Sequence, residues 1–250
     1  MRFIVSTSTL LKHLQAVSGA LSSSAVLPIL ENFLFEIKDG GNLVISATDL
    51  QTSMITSLAV ESKEGGKIAV PSKILLDTLK TLPEQPIAFS VDEQTYAIEI
   101  SAGDGKYKLS GENGEDFPKI PVVENASTVN LPASVLAEAI NKTIFAVSND
   151  ELRPAMTGVF CQLSPQNITF VATDAHKLVR YRRTDAKADS ATSFILPKKA
   201  LNLLKSSLPS EDLNVSIEYN STSAFFKFGN INLICRLVDE RYPDYDAVIP

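Results

Sequence analysis

The sequence predicts an α+β protein made of two tandem copies of one domain, each with two helices packed on antiparallel sheets. Two observations carry this prediction. Four sequence blocks recur in the same order at a spacing of 125 to 126 residues, and such a recurrence indicates a duplicated domain. Within each copy, short segments of alternating polar and apolar residues surround two segments with helical periodicity, which is typical of helices on antiparallel sheets.

The first recurring block is an amphipathic helix near the start of each copy. Apolar residues spaced by four and seven positions lie on one helical face in both copies. They are Leu10, Leu14 and Leu21 in the first copy, and Leu136, Ile140 and Val147 in the second. We therefore expect helices over residues 7–22 and 133–148.

The second block is a pair of short strands that ends in the triplet ATD. Residues 31–49 align without gaps on residues 156–174, and each segment reads as two strands joined by a turn. Asp49 and Asp174 occupy matching positions, but the residues that follow them differ. An aspartate kept in both copies with different neighbours indicates a structural role, in which the carboxylate accepts hydrogen bonds from backbone amides at the strand end.

The third block is a short helix with a proline at each end. PSKILLDTLKTLP (71–83) matches PKKALNLLKSSLP (197–209), and proline suits both the first turn of a helix and its termination. Helices are therefore expected over 72–82 and 198–208. The fourth block, DFP at 116–118 and RYP at 241–243, closes each copy. We place the first domain at residues 1–123 and the second at 124–250.

The composition is that of a globular protein, with 44% hydrophobic and 21% charged residues. The N-terminal sequence does not have the pattern of a signal peptide, and no apolar run is long enough to cross a bilayer. Cys161 and Cys235 lie in apolar, strand-like segments, so we expect buried free thiols in a reducing cytoplasm.

Charge is distributed unevenly along the chain. The net charge is −6, but the four predicted helices contain seven basic and two acidic residues, whereas the other segments contain 16 basic and 27 acidic residues. The helix residues are Lys12, Lys73, Lys80, Lys142, Lys198, Lys199 and Lys205, against Asp77 and Glu138. Lysine is also a good helix former, yet the reversal of sign favours a polyanion as partner. No base-reading motif accompanies this charge, so contact through phosphates is expected.

A catalytic interpretation of the ATDAHKL segment is weak. Asp174 and His176 could in principle form an acid–base pair, but the matching Asp49 is followed by leucine and glutamine. Only one other histidine, His13, is present, and it is expected on a solvated helix face. A multi-ligand metal cluster is therefore improbable, and we predict no cofactor.

Several motifs strongly resemble the bacterial DNA polymerase III beta subunit, the sliding clamp. VLPILENFLF, ATDAHKL and RLVDERYPDYDAVIP carry the resemblance, which extends in order over all 250 residues. It implies the DNA clamp fold and a non-catalytic processivity factor. In that family three domains form each subunit, and two subunits form a ring around duplex DNA. The implied partners are duplex DNA, the replicative polymerase, the clamp loader and repair proteins. The implied location is the bacterial cytoplasm, in association with the nucleoid.

The resemblance also implies two sets of site residues. Helix side chains are expected to contact DNA phosphates. Partner peptides are expected to bind a pocket that the family forms at the junction of its second and third domains, of which this chain would supply one wall. The predicted DNA-binding residues are Lys12, Lys73, Lys80, Lys142, Arg153, Lys198, Lys199 and Lys205. The predicted peptide-binding residues are Met156 on the strand before the turn, Thr173, Ala175, His176, Lys177, Leu178, Pro243 and Val248.

The sequence departs from the family pattern in four places and in length. Ala175 replaces the usual glycine and Lys177 the usual arginine, so an altered loop and altered polar contacts are expected. Ala247 is shorter than the residue usual at the pocket rim, and the Ser22–Ser24 loop lacks the usual basic residue. Only two domain copies are present, which predicts a two-domain, monomeric fragment without the third clamp domain. The alternative is a nucleic-acid or peptide-binding module that does not encircle DNA.

Overall fold

The computed structural model describes residues 1–22, 27–38, 41–122, 124–209 and 213–249. The chain divides into two compact units, Met1–Ile120 with Asn230–Asn232 and Pro121–Gly229 with Leu233–Pro250. The domain boundary between residues 123 and 124 stays a prediction, because residue 123 lies outside the described residues. Residues 23 and 24 of the predicted serine loop also lie outside them.

The first unit contains two α-helices and ten strands within its described residues. They are β1 (Arg2–Ser6), α1 (Thr7–Ser18), β2 (Asn32–Ile37), β3 (Asn42–Thr48), β4 (Thr52–Ala59), β5 (Glu61–Glu64), β6 (Gly66–Pro71), α2 (Ser72–Thr81), β7 (Pro86–Val91), β8 (Ala97–Ala102), β9 (Gly105–Ser110) and β10 (Glu112–Asn113). One sheet has the order β5-β1-β7-β8-β9, and the strands of the other follow the order β10-β6-β2-β3-β4.

The helices of the first unit cover the sheet that contains β3, β4 and β6. Leu10, Leu14 and Val17 form the buried face of α1, which packs on β3, β4 and α2. The core of this unit contains a cluster of three phenylalanines. The rings of Phe3 and Phe89 stack with centroids 4.7 Å apart, and Phe35 lies 6.4 and 6.2 Å from them.

The second unit has a similar arrangement of helices and sheets, but its sheets have different edge strands. Its described elements are β11 (Ser127–Pro132), α3 (Ala133–Thr143), β12 (Gly158–Leu163), β13 (Ile168–Thr173), β14 (Leu178–Arg183), β15 (Thr192–Pro197), α4 (Lys198–Ser207), β16 (Asn214–Tyr219), β17 (Ser223–Phe228) and β18 (Ile231–Arg236), of which Leu233–Arg236 belongs to this unit. One sheet has the order β14-β13-β12-β15, and the other strands follow the order β18-β17-β16-β11.

These elements confirm the predicted α+β architecture of two similar units. Two helix ends were predicted wrongly, because α1 ends at Ser18 and not at 22, and α3 ends at Thr143 and not at 148. Ala20 and Leu21 bond to carbonyls three residues earlier, and a 3-10 turn over Ile144–Ala146 follows α3. Apolar spacing continues through these tighter turns, so it does not mark where the α-helix stops.

The two cysteines confirm the prediction of buried free thiols. Cys161 and Cys235 are both unpaired and buried in the second unit. Burial raises the pKa of the Cys161 thiol and raises that of Cys235 to about 12, so both stay protonated at neutral pH. Within the described ranges, no helix has both the length and the apolar character needed to cross a membrane.

Candidate functional site

The turn between β13 and β14 is stabilised by the side chains of the two residues at its start, Thr173 and Asp174. Asp174 Oδ1 accepts from the backbone N–H groups of His176 and Lys177, at 3.0 Å each. Thr173 Oγ1 donates to the Lys177 carbonyl at 2.8 Å and accepts from the Ala175 N–H at 3.1 Å. Ala175 adopts φ +72°, a left-handed conformation that completes the turn.

The first unit builds the same turn with different residues at its tip. Asp49 Oδ1 accepts from the N–H groups of Gln51 and Thr52 at 2.9 and 2.7 Å, and Thr48 Oγ1 accepts from the N–H of Leu50 at 3.1 Å. Leu50 has φ +74°. The prediction that the repeated aspartate bonds backbone amides is therefore confirmed, and the alanine at position 175 preserves the loop geometry found at Leu50.

The hydrogen bonds of the Asp174 carboxylate within the turn leave it unsuited to the acid–base role that a catalytic interpretation would assign to it. The ammonium of Lys177 pairs with Asp174, and together with the Lys177 and His176 amides it holds the pKa of the Asp174 carboxyl well below its usual range. The carboxylate thus bonds the backbone of His176 and forms no hydrogen bond or ion pair with the exposed imidazole. Among the described residues, no three His, Cys, Asp or Glu side chains are placed to hold a metal ion.

An aromatic cluster underlies the start of β14. Its buried members are Val171, Ile195, Tyr242 and Tyr245, and Ala155, Phe160, Leu178, Val238 and Ile249 pack against them. The rings of Phe160 and Tyr242 stack with centroids 4.6 Å apart. Tyr245 donates its hydroxyl to Gln162, and burial raises the pKa of both tyrosines.

The predicted peptide-binding residues fall into two groups around this cluster. Leu178 packs directly on it, while Met156 and Val248 are each adjacent in sequence to a residue that does. Met156 lies in a 3-10 turn, Pro154–Met156, and not on the strand as predicted. Proline at its start favours this turn, and β12 begins two residues later. Val248 is 71% exposed, and Pro243 is also exposed.

Two of the remaining peptide residues share a cavity with residues predicted to bind DNA. His176 and Lys177 line a cavity of about 580 Å³ together with Arg153 and Lys198. Arg153 is paired with Asp150 at 2.8 Å, and Lys198 Nζ donates to the Asn149 side chain at 2.7 Å. The structure thus gathers four basic or titratable side chains that the sequence assigned to two different partners.

Comparison with known protein families shows to which family the chain belongs. Residues 1–121 match the family described as DNA polymerase III beta subunit, N-terminal domain, and residues 130–244 match its central domain. The chain belongs to the DNA polymerase III beta subunit family. A beta sliding clamp from Synechococcus elongatus is 31% identical over 255 residues, which cover 100% of this chain and 68% of that protein.

Solved structures of family members have the same fold. The DNA polymerase sliding clamp from Bacillus subtilis is 27% identical, with a TM-score of 0.95, over 100% of this chain and 68% of that chain. The sliding clamp from Bartonella birtlesii, solved bound to griselimycin, is 32% identical, with a TM-score of 0.92 and the same coverage. The predicted clamp fold is confirmed.

In this family member the predicted DNA-binding lysines lie on the outer faces of the four helices. Lys12, for example, lies two residues from both Leu10 and Leu14, on the side of α1 opposite its buried face. Lys198 is half-buried, and the other seven predicted side chains are exposed: Lys12, Lys73, Lys80, Lys142, Arg153, Lys199 and Lys205.

Sequence reasoning missed the aromatic floor of this clamp's candidate pocket. Tyr242 and Tyr245 were interpreted only as parts of a family motif, although their spacing of three residues and the proline between them were visible. Phe160 and Ile195 carry no local signal, because alternating apolar residues occur throughout the strands. Only the pairing of β12 with β13 and β15 places these side chains beneath the turn.

Proposed function

We propose that this chain serves as a sliding clamp that holds duplex DNA through its phosphates, without catalytic activity of its own, in the bacterial cytoplasm. The observation that carries the proposal is the helix charge. In both units of a family member whose net charge is −6, basic side chains occupy the outer faces of the helices. Phosphate contact of this kind is indifferent to base sequence, which is what movement along DNA requires.

Ion pairs support this proposal by neutralising the acidic groups on the helices. Asp77 pairs with Lys80 at 3.5 Å, within α2. Glu138 of α3 pairs with Arg183 at 2.8 Å, and Arg183 also pairs with Asp185. Both helix carboxylates therefore have cationic partners, and the repulsion that they would exert on a phosphate backbone is reduced.

A charge-reversal series tests the DNA-binding proposal. The test variant is K142E/K198E/K199E on α3 and α4, and the matched control is K108E/K187E/K227E, which changes the net charge equally outside the helices. We measure binding of a fluorescent duplex by anisotropy between about 50 and 300 mM salt. Each lost phosphate contact should reduce the slope of log K against log salt by about 0.9.

We expect the slope to fall by about 2 to 3 in the helix variant and to stay within about 0.5 of wild type in the control. The affinity should be equal for duplexes of different sequence. Equal losses of slope in the two variants would argue that only net charge matters and that the helices do not face DNA.

We further propose that partner peptides dock against the β14 turn and the closing segment. The residues involved are Met156, Thr173, Ala175, His176, Lys177, Leu178, Pro243 and Val248. Supporting this, the turn is fixed by its own side chains, so binding orders little new backbone. Arg180 and Asp246 pair at 3.0 Å and hold the 3-10 turn that carries Val248 against β14.

Griselimycin is a suitable probe for this site, because the Bartonella birtlesii relative was solved bound to it. We expect V248D and H176A each to weaken its binding about tenfold or more, since Val248 is exposed next to Ile249, which packs on the aromatic cluster, and His176 is exposed on the β14 turn. Val122 is 77% exposed, so V122D is a matched control for solubility and charge. Unchanged affinity in V248D, measured by calorimetry, would place the peptide elsewhere.

A further inference from the structure

The second unit has a large groove that shares Phe160, Ile195 and Tyr242 with the aromatic cluster but is lined by none of the predicted peptide-binding residues. This β15 groove has a volume of about 900 Å³ and lies along the edge of β15. We define it by Glu124, Ser193, Phe194, Tyr219, Asp239 and Glu240, which all line it. The ring of Phe194 lies 5.1 Å from that of Tyr219, so one wall of the groove is aromatic.

Unpaired backbone groups point into this groove. β15 pairs with β12 on one side only, and on its other side Val238 N–H donates to the Ile195 carbonyl at 3.1 Å. In an antiparallel ladder, the N–H and C=O of one residue point to the same side, and alternate residues share that side. The N–H and C=O of Ser193 and the N–H of Ile195 therefore point away from β12, and within the described ranges they have no hydrogen-bond partner.

The equivalent edge in the first unit is closed. There β10 pairs with β6, with Glu112 opposite Ala69 and Asn113 opposite Ile68. Gly114 then lies so close to β6 that a Cβ would be 2.7 Å from the carbonyl carbon of Lys67 and 2.8 Å from the nitrogen of Ile68. Only glycine permits this approach.

The second unit has no glycine at the corresponding place. At the repeat spacing of 125 to 126 residues, Gly114 corresponds to Asp239 or Glu240. Both are exposed, and Glu240 N–H bonds back to the Val238 carbonyl at 3.0 Å and not to β15. The edge that β10 and Gly114 cover in one unit is thus left open in the other, although an open edge readily accepts a further strand.

Charge indicates which strand would fit. Among the described residues that line the groove, Glu124, Asp239 and Glu240 are acidic and Arg241 is the single cation. We propose that the β15 groove binds an extended, basic segment of a partner protein, which adds to β15 as a further strand. Backbone bonds to Ser193 and Ile195 would hold it, one face would place apolar side chains on Phe194 and Tyr219, and the other would pair lysine or arginine with the carboxylates.

A blocked heptapeptide, acetyl-KVKVKVK-amide, tests this with the ¹⁵N-labelled chain in solution. We expect chemical-shift changes and slowed amide exchange at Ser193 and Ile195. The amides of Lys67 and Ile68, at the closed edge of the first unit, should not change. The peptides EVEVEVE and KKKKKKK should bind at least tenfold more weakly, because one has the wrong charge and the other cannot present an apolar face.

Two variants separate a backbone role from a charge effect. S193P removes an outward N–H without affecting the bonds to β12, and E124K/D239K/E240K reverses the groove charge; each should weaken binding of KVKVKVK at least tenfold. E61K/D104K/D189K reverses three carboxylates elsewhere and should leave binding unchanged. The proposal is overturned if the peptide perturbs other residues, if KKKKKKK binds equally well, or if both groove variants bind normally. Protection of Ser193 that rises with protein concentration alone would instead assign the edge to a second copy of the chain.

Discussion

Ala175 adopts a backbone conformation that is more favourable for glycine. Its φ of +72° costs an L-residue about 1 kcal/mol, and part of this cost is offset because alanine restricts the unfolded chain more than glycine does. We expect A175G to raise the free energy of unfolding by about 0.5 kcal/mol, measured by urea denaturation. In α3, A137G should lower it by about 1 kcal/mol. A lower stability in A175G would contradict the left-handed assignment.

The ionisation of Asp174 should appear in the pH dependence of stability. Because the folded pKa is depressed, the carboxylate stabilises the protein above its unfolded pKa of about 3.9, and this contribution is lost as the pH falls towards the folded value. D174N keeps one acceptor oxygen but loses the charge. The stability difference between wild type and D174N should be constant from about pH 7 to 5 and shrink below about pH 4.

The control for this experiment is D104N, which removes the same charge from an exposed loop residue without these hydrogen bonds. Its difference from wild type should be small throughout the same pH range. A wild-type advantage over D174N that grows as the pH falls would show that protonation of Asp174 does not weaken the turn.

Among the elements, β10 depends on the absence of a side chain at one position. G114A would place a Cβ 2.7 Å from backbone and side-chain atoms of Lys67. To relieve this clash, β10 must separate from β6, or β6 must shift. We expect a loss of about 2 kcal/mol in the free energy of unfolding. In the second unit, E240A changes an exposed residue at the corresponding place and should change it by less than about 0.5 kcal/mol. Equal effects would remove the distinction between the closed and the open edge.

How well the sequence predicted an element depended on whether its end carries a local signal. The helices bounded by proline were predicted to within one residue, α2 as 72–82 against Ser72–Thr81 and α4 as 198–208 against Lys198–Ser207. α1 and α3 have no proline close after their C-terminal ends and were predicted too long. Thr143, at the end of α3, bonds back to the Ala139 carbonyl at 2.7 Å, and this contact has no counterpart in apolar periodicity.

The candidate site shows the same division between local and non-local information. The role of Asp174 could be predicted because a second copy of its turn is present in the chain. The β15 groove could not be predicted from the sequence. It is formed by the open edge of one strand together with a distant segment of the chain after Val238. Whether a strand lies at the edge of a sheet depends on the strand order. A half-buried strand has the same pattern of amino acids at the edge of a sheet as in its interior.

At the scale of the whole molecule, charge is separated between helices and the other segments. The helices carry a net charge of +5 and the remaining residues −11. An acidic remainder repels a polyanion at distances within a Debye length, about 10 Å at 0.1 M salt. DNA binding should therefore reflect a balance between local attraction and wider repulsion, and the two contributions can be changed separately.

Neutralising acidic residues outside the helices should strengthen DNA binding, although no basic group is added. In E61Q/D104N/D189N all three changes are at exposed positions. We expect the association constant for a short duplex to rise about two- to fivefold at 50 mM salt, because the repulsive field is weaker. At about 0.5 M salt the gain should vanish, since the field is then screened. The lysine reversals on α3 and α4 should act in the opposite direction under the same conditions. If the neutralised variant binds DNA no better at low salt, the acidic segments do not influence the approach of DNA, and the helix charge acts only through direct contact.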